Sequence, residues 1–142
     1  MRISTKTRYG LRFMIDLAQR YGEGCTALKD VAKRQEISKK YLEQVASPLV
    51  SAGLLHVTRG YLGGYELARP PQQITCADIV SATEDGLGLL ECTSGKFACG
   101  RDDTCLSRFV WAGLERTVAN YLRGITLQDI LERESDAAMY VI

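Results

Sequence analysis

Residues 37–67 read ISKKYLEQVASPLVSAGLLHVTRGYLGGYEL, and the reading of this stretch decides the fold. Ser38 is a good N-cap, and Tyr41, Leu42, Val45, Leu49 and Val50 follow at helical spacing. They predict a helix to about Ser51, with Pro48 expected to kink it and Gly53 to end it. Residues 54–58 are β-favouring, residues 59–64 are turn material, and residues 65–68 form a return strand.

Working upstream, residues 6–21 predict a helix on the spacing of Leu11, Met14, Ile15, Leu17 and Ala18, stopped by Gly22 and Gly24. Thr26 is the expected N-cap of a short helix over residues 27–34, with Leu28, Val31 and Ala32 facing inward. Two short helices joined by a tight turn have helix-turn-helix proportions, and a hairpin directly after the second is a wing.

Downstream, Thr75 caps a helix over 76–84, and residues 86–104 form a long irregular loop. Residues 106–123 predict a long helix whose Leu106, Phe109, Val110, Leu114, Val118 and Leu122 line one face. Thr126 to Asp129 opens a last helix, and the tail after Glu134 reads as loosely held. The expected organisation is a winged helix-turn-helix domain at 1–70 and a helix with a cysteine-bearing loop at 71–105. A long and a terminal helix at 106–134 and a loose tail at 135–142 complete it. The fold class is mainly α with a small β-hairpin.

Composition sets outer bounds. With 46% apolar and 25% charged residues the chain can bury a core. No run of about 18 apolar residues predicts a membrane helix, and the first residues lack a signal-peptide stretch, so a cytoplasmic protein is expected. The net charge of +1 hides an asymmetry. Residues 1–69 hold 12 Lys and Arg against 6 Asp and Glu, whereas residues 70–142 hold 6 against 11. A basic half joined to an acidic half suggests that the first half meets a polyanion. Five cysteines cannot all pair within one chain, which argues against a disulfide framework.

Two sites carry chemistry. An α-helix fits the DNA major groove with its N-terminal residues near base edges and phosphates. Here those residues are Ser38, Lys39, Lys40 and Tyr41, followed by Glu43 and Gln44. The lysines suit phosphates, Gln44 adenine, and Glu43 the cytosine amine. Thr58, Arg59 and Gly60 are the wing's contributions, its glycines allowing close backbone approach. The second site is Cys92, Cys99 and Cys105, spaced C-x6-C-x5-C. Thiolates favour iron–sulfur clusters or zinc. Zinc sites more often use C-x2-C knuckles, which are absent here, and three free thiols remain a further reading. His56 is the only histidine and no Ser/His/Asp set or phosphate-binding glycine motif is present, so no enzyme is expected.

The strings Arg2 to Lys6, Arg8-Tyr9, Ile37-Ser38, Leu42-Glu43-Gln44 and Arg59-Gly60 with Gly63-Gly64-Tyr65 resemble the IscR-type winged-helix transcription regulators, the Rrf-two family. Cys92, Cys99 and Cys105, with Leu106 and Trp111 after them, resemble the cluster loop of that branch. The resemblance implies a homodimer paired through helix 106–123 and double-stranded DNA as partner. It also implies a 2Fe–2S cluster, or a 4Fe–4S cluster, on the three cysteines. The IscR branch carries a histidine ligand three residues after its last cysteine, where this chain has Arg108. The NsrR branch uses an aspartate in the first helix, where this chain has Arg8. Asp102, Asp103, Glu91, Glu84 and Asp85 are candidates for a fourth ligand, as are a small thiol or water. CymR-like members lack the cysteine trio. A thiol-redox or zinc-responsive repressor on the same scaffold is the alternative function.

Overall fold

The structure, a computed structural model, describes residues 1–93, 100–101 and 103–139. Its helices are α1 (Thr5–Gln19), α2 (Leu28–Gln35), α3 (Lys39–Ser51), α4 (Cys76–Thr83), α5 (Arg108–Arg123) and α6 (Leu127–Met139). A hairpin of β1 (Leu55–Thr58) and β2 (Gly64–Leu67) lies between α3 and α4, in antiparallel register with Leu55 opposite Leu67 and Thr58 opposite Gly64. A 3-10 turn at Pro71–Gln73 leads from the hairpin to α4.

α1 is the central element and packs against α3, α4 and α6. Phe13 and Met14 from α1, Leu42 and Leu49 from α3, Ile79 from α4 and Leu127 from α6 are fully buried. Burying each such side chain stabilises the fold by about 1.5–3 kcal/mol. The sequence stripe of α1 omitted Phe13, which packs edge-on against Tyr65 of β2 at 5.8 Å. Leu11 and Ile15, at the edge of the same face, are only partly buried. α3 runs through Pro48 without interruption to Ser51.

Thr26 does not cap α2. The N-cap is Ala27, which offers no side-chain bond. Thr26 instead pairs its backbone with Tyr65, the amide of each donating to the carbonyl of the other at 2.8 and 2.9 Å. The Thr26 carbonyl goes to Tyr65, and the first amides of α2, from Asp30 and Val31, donate to the Ala27 carbonyl instead. The pairing fastens the wing to the α1–α2 connection. A Cβ on Gly64 would lie 2.2 Å from the Thr26 oxygen, so this approach requires glycine.

Thr75 and Thr126 form a second isolated bridge, and each opens its helix with a reciprocal cap. The Thr75 hydroxyl accepts from the Asp78 amide while the Asp78 carboxylate accepts from Thr75. Thr126 and Asp129 repeat the arrangement. α6 then continues to Met139, past Glu134 where the sequence reading ended the ordered chain. Residues 132–137 hold no glycine or proline to stop it. α5 begins at Arg108 rather than at 106: the amides of Val110 and Trp111 donate to the Ser107 carbonyl, and Leu106 stands 92% exposed in the preceding turn.

One buried carboxylate locks α1 to α2. Asp16 is 1% exposed and accepts two bonds from Arg34, at 2.7 and 3.0 Å, and one from the Gln35 amide at 3.0 Å. Burial alone would raise its pKa. The bonds from Arg34 and Gln35 and the charges of Arg34 and Arg20 outweigh that, and the carboxyl sits below its ordinary value.

Candidate nucleic-acid interface and cysteine loop

The turn between α2 and α3 uses Glu36 in the left-handed conformation, at φ 53°, with buried Ile37 behind it. Ser38 then caps α3, its hydroxyl accepting from the Tyr41 amide at 3.1 Å. From this cap the helix divides into two faces. Leu42, Val45, Ala46 and Leu49 are buried, while Lys39, Lys40, Glu43 and Gln44 are exposed. The first turn carries no acidic residue, so its free amides and the two lysines give that end a positive potential. Tyr41 is half-buried, its ring edge-on to Tyr9 at 5.6 Å, and so has a structural contact besides its expected exposed role.

Thr58, Arg59 and Gly60 are exposed at the end of the hairpin. The Gly63 amide donates to the Gly60 carbonyl at 3.0 Å and closes a tight turn. Gly60 has φ 111°, and a Cβ on Gly63 would meet the Thr58 oxygen at 2.0 Å. The Cys25 thiol donates to the Leu62 carbonyl at 3.3 Å, a second tie from the α1–α2 connection to the wing. Tyr61 and Leu62 were passed over in the sequence as turn material, yet they are 101% and 85% exposed. Their size at the corners of a turn was the available signal. His56 is exposed opposite Glu66.

The cysteine loop leaves α4 at Glu84, whose carboxylate accepts from the Ser4 amide at 2.7 Å. Its burial acts against ionisation, but the Ser4 amide, the Thr7 and Ser4 hydroxyls and the Lys6 charge together outweigh that and hold the carboxyl below its usual value. Between residues 84–93 and α5 lies a cleft of about 740 Å³ carrying Glu84, Glu91, Glu115, Arg108, Arg116 and Arg123. Cys92 and Cys105 are half-buried free thiols. Cys99 and Asp102 lie outside the described residues.

Cys105 stands just before α5, its Sγ 3.2 Å from the Ser107 hydroxyl. That hydroxyl, followed by the backbone amide of Arg108, holds the thiol below its ordinary pKa. Such a group suits a soft metal or cluster, and in donor chemistry the two described cysteines fit one. Among the described residues no three His, Cys, Asp or Glu side chains gather as a metal site. Cys76 is buried, and burial followed by the Asp129 charge pushes its thiol up. Among the described residues no helix is long and apolar enough to cross a membrane.

Residues 3–133 match the family described as iron-dependent transcriptional regulator, Rrf2. The transcriptional regulator CymR of Bacillus subtilis is 39% identical, with all of both chains covered. The solved structure of that global cysteine regulator superposes with a TM-score of 0.79, at 38% identity over 94% of this chain and 98% of that one. The solved IscR of T. potens superposes at 0.76, with 37% identity over 96% of this chain and 90% of that one. The IscR regulator of Xenorhabdus nematophila is 35% identical over 94% of this chain and 81% of its own. These relatives are transcriptional regulators, not enzymes. The hairpin is therefore the wing of a winged helix, and the chain belongs to the Rrf2 family of DNA-binding transcriptional regulators.

Proposed function

We propose that this regulator binds operator DNA as a homodimer and that a cluster on Cys92, Cys99 and Cys105 sets its affinity. The observation that carries the control step is the bond from Ser4 to Glu84. The cysteine loop starts at a residue fastened to the first turn of α1, and α3 rests on α1.

In this reading Lys39 and Lys40 meet phosphates at the start of α3, Ser38 and Tyr41 fix that end, and Glu43 and Gln44 face base edges. Thr58, Arg59 and Gly60 meet the neighbouring minor groove. The uncovered face of α5 supports the homodimer. Phe109 is 81% exposed, Val110 54% and Tyr121 68%, and only Ala119 of that helix is buried. A second copy covers such a face and places two recognition helices on one duplex, so the operator is a pseudo-palindrome.

An iron–sulfur cluster, 2Fe–2S by the resemblance, supplies redox and oxidative sensitivity when bound. The chain's part is to hold it. Cys92 and Cys105 flank the part of the loop that carries Cys99, and Ser107 and the Arg108 amide keep Cys105 ready to ligate. With Arg108 where a histidine ligand is expected, the fourth position falls to a carboxylate of the loop or to a small exchangeable ligand. An ordered loop keeps Glu84 on Ser4 and so holds α1 under α3, and a released loop loosens that hold.

Anaerobically purified protein tests this. Iron and sulfide should be present and should be lost in Cys92→Ala, Cys99→Ala and Cys105→Ala variants. Operator affinity should differ between loaded and stripped protein by about fivefold or more. Zinc in place of iron, or affinity unchanged on stripping, would overturn the reading in favour of a zinc or thiol sensor.

A further inference from the structure

We propose that Tyr61 and Leu62 are DNA-contacting, specificity-determining residues, packing into the minor groove beside Arg59 and favouring a deformable base step there. This inference rests on the reading of the wing as a DNA contact and goes beyond it in naming what the tip recognises.

The argument begins with turn chemistry. The bond from the Gly63 amide to the Gly60 carbonyl makes Tyr61 and Leu62 the two corner residues of a four-residue turn. Corners of tight turns ordinarily hold glycine, proline, asparagine or aspartate, whose short side chains suit the backbone and water. Here they hold a phenol and an isobutyl group that are 101% and 85% exposed. Neither side chain contributes to the core cluster. Folding therefore gains little from them, and their apolar surface in water needs another partner.

The tip is also held in place. Gly63 lies so close to the Thr58 carbonyl that the turn folds back on its own strand. The Thr26–Tyr65 bridge fixes the start of β2 just after the turn, and the Cys25 thiol holds the Leu62 carbonyl. A turn tied at two points beside its corners presents side chains at little further cost in ordering.

The chemistry of the tip selects the occupant. Arg59 directly precedes the turn and is exposed, and the cationic start of α3 belongs to the same half of the chain. A guanidinium flanked by an aromatic and an aliphatic side chain matches the DNA minor groove. Its floor is electronegative, its walls are the apolar faces of deoxyriboses, and wedging side chains unstack its flexible steps. Tyr61 and Leu62 lie against those walls, with Tyr61 at the step itself. Pyrimidine–purine steps unstack most easily, so one at a fixed distance from each half-site centre is favoured.

The test uses the full-length protein and a duplex selected by it from a randomised pool. Binding is measured for the wild type and for Tyr61→Ala, Leu62→Ala and Lys39→Ala. Each duplex is used as selected and with its wing-facing TA or CA step changed to AA. The two tip variants should keep the wild-type melting temperature. They should weaken binding to the selected duplex by roughly fivefold or more, the scale of a lost base-stacking or wall contact. Their slope of affinity against salt should be unchanged, because no phosphate contact is lost. The wild type should lose affinity on the AA duplex, and Tyr61→Ala should not distinguish the two. A 2-aminopurine placed at the step should brighten on binding wild type and stay dim with Tyr61→Ala. Tip variants that bind like wild type while Lys39→Ala is weakened would overturn this inference and leave the DNA reading standing. No selected duplex, or no effect of any of the three changes, would overturn both.

Discussion

The hydroxyls of Thr7 on α1 and Thr83 on α4 meet at 2.8 Å inside the protein, where both residues are buried. Thr83 donates onward to the Ile79 carbonyl at 2.8 Å, so Thr7 donates to Thr83, and the Ser4 hydroxyl donates to Thr7 at 3.1 Å. The chain of donors runs from the first turn of α1 to the last turn of α4, next to the Glu84–Ser4 bond. Every hydroxyl in it has an acceptor, which is what burial of polar groups requires. The start of the cysteine loop is therefore tied to α1 by polar bonds in addition to the packing of α4 on α1.

The same junction is tight sterically. A Cβ on Gly10 would lie 3.1 Å from the Thr83 methyl and 3.5 Å from a Val45 methyl on α3. Alanine gains about 1 kcal/mol over glycine inside a helix, but here the contact opposes the gain. Gly10→Ala should be more favourable in a Thr83→Ser background than in wild type by about 1 kcal/mol. Serine keeps the hydroxyl chain and removes the methyl. Urea unfolding of the four proteins of this cycle measures the coupling, and additivity would show that α1 and α4 do not meet at this point.

Asp16 should make stability fall with acid. Its folded pKa lies below the ordinary aspartate value of about 3.9. The stabilisation is therefore fully present above that value and is lost as pH drops through the folded pKa. Asp16→Asn should cost on the order of 2 kcal/mol at neutral pH. That is less than for a wholly buried pair, because the Arg34 side chain keeps 34% of its exposure. The gap in Tm between variant and wild type should narrow below about pH 4. A gap independent of pH would assign Asp16 a packing role only.

The helices were legible because their signals are local. The apolar spacing on α1 and α3, the threonine caps at Thr75 and Thr126 and the stops at Gly22 and Gly53 act within a few residues. What escaped the sequence is made by distant partners. Thr26 has the chemistry of a cap, and only Tyr65, brought back by the hairpin, gives its backbone another use. Phe13 lies beside the expected stripe and is buried because β2 supplies Tyr65 over it. Glu84 was named as a ligand candidate, and nothing near it in sequence shows that the Ser4 amide bonds its carboxylate. Cys92, Cys99 and Cys105 are soft-ligand candidates by type and spacing, and Cys99 lies outside the described residues. Spacing does not encode which further group would complete a ligand set with them.

Gly64→Ala should detach the wing without unfolding the protein. The added Cβ would fall 2.2 Å from the Thr26 oxygen and 2.4 Å from its carbonyl carbon, and neither is a flexible side chain. The Thr26–Tyr65 bridge must open, while the core below Leu67 stays in place. Amide exchange at Thr26 and Tyr65 should quicken by about tenfold or more, the effect of weakening a local opening barrier by ~1.4 kcal/mol. Protection at Leu42 and Val45 should be kept. Operator affinity should fall with it if the wing enters DNA. Unchanged exchange at both residues would contradict the bridge.

α5 offers a reporter for assembly. Trp111 is the chain's single tryptophan, and it stands 44% exposed on the helix whose Phe109 and Val110 are also uncovered. Exposed large apolar side chains gathered on one helix are what a second copy would cover in the proposed dimer. A second copy covering it removes water from the indole, so emission should be blue-shifted at micromolar concentration and move to the red on dilution. Light scattering should give twice the 15.7 kDa chain mass under the blue-shifted condition. Val110→Glu places a charge on this face, and an unpaired charge in an apolar interface costs several kcal/mol. The variant should scatter as a single chain, show red emission at every concentration and keep its far-ultraviolet helix signal, since Val110 is 54% exposed within one chain. It should also lose the selected duplex far more than it loses non-specific DNA, because a monomer reads one half-site where a dimer reads two. A Val110→Glu protein that stays dimeric would place the contact elsewhere, and a wild type that remains monomeric at micromolar concentration would remove the pseudo-palindrome from the proposed mode of binding.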